Sequence, residues 1–252
     1  MKYKIIIKTT YKNKHRVKMC LDTWLSNQDF VCLTDRLTGE FEEISGSSRE
    51  DYYSAEEKTL FLINKIKDTN IYDDYDWLAF IDDDAILNTK MFNYILPYMN
   101  KDFVYGLKMH GVYDKAPNMV YPSGGSGYFI SPSLIKKANH MINNNWGVED
   151  AAVGKWIEQN ELVLEDHINI ENKRFYLQLN GWFPFDEERK TLSEEENNSE
   201  QIFPIRILEN IKDKDQKLKH INSSMTHHYI RWRPLMEYIY ECFQQWNFND
   251  IK

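Results

Sequence analysis

Long apolar runs, a surplus of basic residues and paired cysteines are all missing from this sequence, and each absence removes a class of protein. No stretch approaches the roughly 18 consecutive apolar residues that a membrane-spanning helix requires. The apolar core of the opening Met1-Lys2-Tyr3-Lys4-Ile5-Ile6-Ile7-Lys8 is too short for a signal segment. The chain is therefore expected to be soluble and cytoplasmic. Lys and Arg total 31 against 39 Asp and Glu, a formal charge of -8. The broad positive footprint of a nucleic-acid binder is absent. The three cysteines, Cys20, Cys32 and Cys242, are odd in number and sit in apolar contexts. They read as reduced core thiols and not as a disulfide framework. CxxC, HExxH, the P-loop and GxGxxG are all missing, so neither a zinc site nor a dinucleotide fingerprint is spelled out.

What is present is a chain of 252 residues with 42% hydrophobic and 14% aromatic content, enough for a full core. Short apolar runs at 5–7, 30–33, 77–81, 103–107, 128–130 and 162–164 read as buried strands. Helical spacing over 14–25, 54–66, 89–98, 132–142 and 149–160 alternates with them. The segment 54–66 opens on Ser54 and Glu57, a capping-box spacing, and turns Leu60, Ile63 and Ile66 inward. Asn88 stands where an N-cap belongs. Strand and helix in alternation predict one α/β domain with a mostly parallel sheet flanked by helices. Beyond Gly181 the pattern weakens: 186–200 reads as an acidic polar insertion, 212–233 gathers Lys and Arg, and 235–246 reads as a closing amphipathic helix.

Asp82-Asp83-Asp84 is the sharpest chemical signal, because it follows the buried run 77–81 directly. Three adjacent carboxylates repel one another, and a sheet edge tolerates them when a cation or donors meet them. Hard divalent ions such as Mn²⁺ or Mg²⁺ prefer oxygen ligands and share them with phosphates. The ordinary alternative is a solvated acidic turn. Ser123-Gly124-Gly125-Ser126-Gly127-Tyr128 is a small-residue loop feeding a strand, suited to close backbone approach by a ligand and equally to a plain turn. Glu149-Asp150 opens a helix; the helix dipole alone favours acids there, and a general base is the functional alternative. His227-His228 and His167 are possible imidazole ligands for a metal.

Taken in order, these blocks resemble the fringe-like branch of the β-1,3-glycosyltransferases. Ile6-Ile7-Lys8-Thr9-Thr10, His15-Arg16 and Asp22-Thr23-Trp24-Leu25 are similar to that family's K-T-T…H-R…T-W opening, and the run from Phe30 ends in Thr34-Asp35 as its second strand does. Trp77 to Asp84 resembles its W-F-x-x-x-D-D-D. Gly124-Gly125-Ser126-Gly127-Tyr128 with Ser131 is similar to its G-G-A-G-x-x-x-S, and Glu149-Asp150 with Gly154 resembles its acidic pair and later glycine. The resemblance covers roughly residues 1–165 and implies a GT-A type nucleotide-sugar-binding fold. In it, 1–110 would form a nucleotide-binding half, and 111–252 an acceptor-binding half carrying the insertion near 186–200. It further implies a UDP-sugar donor, Mn²⁺ and inverting transfer of a hexose or similar sugar to a hydroxyl. Thr9, Thr10, Arg16 and Asp35 would line the nucleotide pocket, with Asp82 and Asp83 at the ribose or supporting the site. Asp84 would hold the metal, with Asp82 beside it. Gly124 and Gly125 would lie against the donor sugar, and Asp150 would be the base with Glu149 the second choice.

Two departures qualify the match. The family's late histidine ligand follows the acidic pair more closely than His227-His228 does; His228 is the expected ligand because Thr226-His227-His228-Tyr229 precedes the last helix, as F-H-S-H does there. The family's secretory anchor and disulfides have no counterpart here. The acceptor is expected to be a glycan or a small or lipid-linked hydroxyl. A viral enzyme acting on hydroxymethylated DNA bases is the alternative, with the basic 212–233 segment on the strand. A non-catalytic sugar-binding module on the same fold is the third reading.

Overall fold

The structure is a computed structural model describing residues 1–49, 53–111, 118–143, 147–171, 173–176, 221, 225–227 and 233–246. β1 (Tyr3–Lys8) leads through a short 3-10 turn to α1 (Lys14–Leu21), and then come β2 (Phe30–Thr34), β3 (Glu43–Ser45) and α2 (Ser54–Asp68). β4 (Trp77–Asp82), β5 (Ile86–Leu87), α3 (Thr89–Ile95) and β6 (Phe103–Gly106) follow. Next are β7 (Lys108–His110), β8 (Val120–Pro122), β9 (Tyr128–Ile130), α4 (Pro132–Lys137) and α5 (Glu149–Gln159). β10 (Val163–Glu165), β11 (His167–Ile170), β12 (Lys173–Tyr176), β13 (Thr226–His227) and α6 (Arg233–Gln244) complete the described elements. The expected insertion at 186–200 lies outside the described residues, as does the basic segment 212–233 except for 221, 225–227 and 233.

A seven-stranded sheet in the order β10-β6-β9-β4-β1-β2-β3 forms the centre. β1 pairs in parallel with both β2 and β4, β2 with β3, and β10 with β6. β9 alone runs against its neighbours β4 and β6. The expected mixed α/β layering with a mostly parallel sheet is what the chain adopts.

Side chains alternate across the strands and so divide the core. Ile5, Ile7, Ala79 and Ile81 join an apolar cluster with Val17, Met19 and Cys20 of α1, Met91, Phe92 and Ile95 of α3, and Met236, Ile239 and Phe243 of α6. Ile6, Leu78 and Phe80 face the other way, onto Leu62, Ile63 and Ile66 of α2, Leu134 and Ile135 of α4, and Val153 and Trp156 of α5. Each isoleucine of β1 is fully buried, a stabilisation of about 1.5–3 kcal/mol per side chain. All three cysteines are buried and outside any disulfide. No helix among the described residues is long and apolar enough to cross a membrane.

Several boundaries differ from the sequence reading, each for a local reason. The helix expected over 14–25 ends at Leu21, where the Thr23 hydroxyl donates to the carbonyls of Met19 (2.8 Å) and Cys20 (3.2 Å). The Ser54–Glu57 capping box does not form. Tyr53 is the N-cap, and Glu57 turns instead to the Ser47 hydroxyl and to Arg49. Leu62, with Ile63 and Ile66, is fully buried, and Leu60 packs half-buried against the same cluster. α4 stops at Lys137 because the chain beyond it is held from outside: Asn160 Oδ1 accepts from the Asn139 amide (2.6 Å) and Asn64 Oδ1 from the Met141 amide (2.8 Å). Asn88 caps α3 as expected, accepting from the Met91 amide at 3.0 Å.

Candidate active site

β1 and β4 end side by side, with Lys8 opposite Asp82 in the register. From this point the chain leaves β1 into α1 on one face of the sheet, whereas α2 feeds β4 from the other. Such a switch in connection opens a crevice beyond the carboxyl ends of the strands, the usual ligand position in an open α/β sheet. The alternation that buries Phe80 and Ile81 on opposite faces also splits the aspartate triplet. Asp82 falls on the α2–α5 side and Asp83 turns toward α1.

On the α1 side, Asp83 is 5% exposed. It accepts from the Thr9 hydroxyl at 2.7 Å and lies 3.5 Å from Arg16 Nη1. Asp84, 4% exposed, lies 4.0 Å from the same guanidinium. Cys20 Sγ donates to the Asp83 carbonyl at 3.5 Å. Burial, and after it the charge of Asp84, pushes the Asp83 carboxyl up to about 7, against the pull of the Thr9 bond and Arg16. The same burial, reinforced by Asp83, raises the Cys20 thiol well above its ordinary range, so it stays protonated.

On the opposite side the Lys8 ammonium, 7% exposed, lies 2.9 Å from Asp82 and 2.8 Å from Glu149, and donates to the Gly124 carbonyl at 2.9 Å. Burial by itself would lower its pKa; the charges of Asp82, Glu149 and Asp150 outweigh that and hold it charged. Glu149 has both oxygens committed. Oε2 takes Lys8, and Oε1 takes the Thr59 hydroxyl (3.1 Å) and the Tyr128 hydroxyl. The next residue, Asp150, is half-buried in the first turn of α5 and receives the Gly124 amide. Burial first, then the Glu149 charge, pushes its carboxyl up to about 7, with Lys8 and the Gly124 amide opposing.

The loop between β8 and β9 owes its glycines to this crowding. A Cβ on Gly124 would sit 2.3 Å from Asp150 Oδ1 and 3.2 Å from Lys8 Nζ. Gly127 has φ +86°, a backbone region that L side chains avoid, and its Cβ would stand 2.5 Å from Ile81 Cδ1. Gly125 is half-buried in the turn that the Gly127 amide closes onto the Gly124 carbonyl at 3.0 Å.

Of the residues singled out in the sequence, Thr9, Arg16, Asp82, Asp83, Asp84, Gly124, Glu149 and Asp150 are brought into one contiguous set. Thr10 is half-buried beside them, and Thr9 donates to its carbonyl at 3.3 Å. Asp35, at the end of β2, joins through the Tyr11 amide (2.7 Å), while its other oxygen is buried with no hydrogen-bond partner among the described residues. β13 pairs with β5, setting the His227 backbone opposite Ile86, two residues past the triplet. His228 itself lies outside the described residues. His167 belongs elsewhere. With Glu165 and Asp166 it forms the one group of three His, Cys, Asp or Glu among the described residues whose ligand atoms lie within 4.8 Å of one another. That group sits at the β10 end of the sheet, three strands from β4, or about 14 Å.

Lys8, Lys58, Thr59 and Tyr128 were missed as site residues. Lys58 is 3% exposed on α2, and its ammonium donates to the Thr9 carbonyl at 2.5 Å. Burial lowers its pKa against the charges of Asp35, Glu149, Asp82 and Asp83. A lysine on a helix looks solvated in sequence, so no local signal marked it. Lys8 did carry a signal: a charge that directly follows the apolar run 5–7 must be answered at the sheet edge.

No protein-family model matches the sequence, and no curated protein matches it significantly. Among solved structures the chain is similar to the glycosyltransferase GlyE of Streptococcus pneumoniae TIGR4, at 11% identity over 98% of this chain and 63% of that one, TM-score 0.47. It is similar to A197 from STIV at 13% identity over 70% and 90%, TM-score 0.37. It is also similar to a glycosyltransferase involved in the glycosylation of the major capsid of PBCV-1, at 11% over 54% and 63%, TM-score 0.34. The chain spans less than two thirds of the length of either glycosyltransferase. At these identities the function has to be read from the chemistry of the site.

Proposed function

We propose that this chain is a metal-dependent, inverting glycosyltransferase of GT-A type, akin to the fringe-like β-1,3 branch, moving a sugar from a UDP-sugar to a hydroxyl acceptor. The observation that carries the reading is the pairing of two features at one switch point. A cluster of carboxylates ends β4, and a carboxylate held near pKa 7, Asp150, faces it across Lys8.

The residues present fit a hard divalent cation, Mn²⁺ or Mg²⁺. Among the described residues six carboxylates (Asp35, Asp82, Asp83, Asp84, Glu149, Asp150) gather around three cations (Lys8, Arg16, Lys58), an oxygen-rich, acidic setting of the kind a hard cation prefers. The three aspartates diverge, which suits an ion held by one or two carboxylates and by substrate phosphates. Asp84 and Asp82 would hold it, with His228 as a further ligand. When bound, the cation supplies Lewis-acid stabilisation of the charge on the departing diphosphate.

Asp150 takes the acceptor hydroxyl proton as the acceptor oxygen bonds to the anomeric carbon. The bond from that carbon to the β-phosphate oxygen breaks with its electron pair, releasing UDP. A base with pKa near 7 is matched to this work at neutral pH. Glu149, with both oxygens engaged, holds the start of α5. Thr9, Thr10, Arg16 and Asp35 line the nucleotide side, and Gly124 and Gly125 the sugar side.

The test is release of UDP from a panel of UDP-sugars with Mn²⁺, offered glycans, lipid-linked sugars and hydroxymethylated DNA as acceptors. Turnover that needs the divalent ion and follows a glycan or lipid acceptor supports the reading. Product on DNA alone would move the enzyme to base modification. Donor binding without release under any condition would make the chain a sugar-binding module.

A further inference from the structure

We infer that Lys8 is a positioning residue of the transfer centre, fixing the donor-side carboxylate Asp82 and the base Asp150 in one geometry without touching either substrate. The inference rests on the glycosyltransferase reading above.

The surroundings of one buried ammonium group carry it. A lysine ammonium has three N–H donors and no acceptor. Lys8 has three oxygens within 2.9 Å, each from a different element: Asp82 of β4, Glu149 of α5 and the Gly124 carbonyl of the loop before β9. Glu149 and the Gly124 carbonyl take two of its donors, Asp82 pairs with it at 2.9 Å, and the side chain is buried, so the ammonium is turned to these protein groups and not to a diphosphate or a sugar. What Lys8 does is hold parts together. Asp82 and the buried Glu149 carry the same sign, and without the cation between them they repel. Glu149 is joined by a single peptide bond to Asp150. Gly124 is clasped twice, by Lys8 at its carbonyl and by Asp150 at its amide. A shift of the ammonium therefore moves the base, the loop beneath the donor sugar and the donor-side carboxylate together. Misplacement by about 1 Å is enough to cost on the order of a hundredfold in rate.

The experiment compares full-length wild type, Lys8→Met, Lys8→Arg and Glu149→Gln, measuring kcat and donor KM on the best UDP-sugar together with circular dichroism. Asp150→Asn serves as the inactive control. Folded Lys8→Met should lose at least a hundredfold in kcat while donor KM stays within about threefold. Lys8→Arg, which keeps the charge, should recover tenfold or more of that loss. A folded Lys8→Met whose kcat stays within threefold overturns the inference, and so does one whose KM alone rises, because Lys8 would then be a donor-binding cation. Should Lys8→Met fail to fold, Glu149→Gln decides. A tenfold or larger fall in kcat at unchanged KM supports the inference, and wild-type kcat refutes it. A wild type that turns over no donor sinks the functional reading, and the inference with it; an active wild type with an indifferent Lys8 sinks the inference alone.

Discussion

Asp150 and Asp83 are both held near pKa 7 by burial and neighbouring charge, and this sets two expectations at the residue scale. A base with that pKa must be ionised to act, so kcat/KM should rise about tenfold per pH unit below 7 and level off above it. Asp150→Asn should remove that limb and lower kcat by roughly 10²–10⁴-fold, the usual contribution of a general base; a pH–rate series on both proteins checks this. The second expectation concerns folding. The two groups bind protons more tightly folded than unfolded, from an ordinary value of 3.8 to about 7. Their contribution to stability is complete below pH 4 and is lost as pH rises through 7. A divalent ion answers the charge that appears there, so Mn²⁺ should raise the unfolding temperature more at pH 8 than at pH 5. Asp84→Ala should abolish the difference, as paired thermal melts would reveal. The aspartates were legible in sequence because three carboxylates after an apolar run need an explanation. Lys8 was legible only in part: a charge after an apolar run needs an answer, but the register that sets it opposite Asp82 is what tells where that charge goes.

At the scale of elements, α5 crosses β8 at Gly154, where a Cβ would fall 2.4 Å from Tyr121 Cβ and 3.1 Å from the Val120 carbonyl. Alanine ordinarily gains a helix about 0.5–1 kcal/mol over glycine. Here the clash is with neighbouring backbone and wins, so Gly154→Ala should destabilise by about 1–3 kcal/mol. That is a fall of several degrees in a thermal melt. Because α5 carries Glu149 and Asp150, kcat should fall with it. Phe80 stacks on Tyr128 at 4.9 Å between centroids, and Tyr128 in turn donates to Glu149. Phe80→Ala should cost about 3–5 kcal/mol, measurable by denaturant unfolding. Strands with continuous apolar runs, β1, β2 and β4, could be read directly, as could the glycines announcing β9. β3 could not: Ile44 is its single apolar residue, and it forms because the edge of β2 is open to pair with it. The early end of α4 was hidden for the same reason, since Asn64 and Asn160 reach it from distant sequence.

For the whole molecule, ligand binding at the carboxyl edge should stabilise every layer at once, because both apolar clusters abut β1 and β4. A saturating donor with Mn²⁺, at about a hundred times its dissociation constant, should add roughly 2.7 kcal/mol. Calorimetry showing no upward shift with any UDP-sugar would argue against a nucleotide pocket at this edge. The reversed strand β9 has a consequence for synthesis. It fills the gap between β4 and β6, yet it is made well after β4 leaves the ribosome. Until Tyr128–Ile130 emerge, the flank of β4 that β9 will cover stands bare along the apolar run Trp77–Ile81. A nascent chain at that stage carries an adhesive seam, and it is then that a chaperone has most to shield.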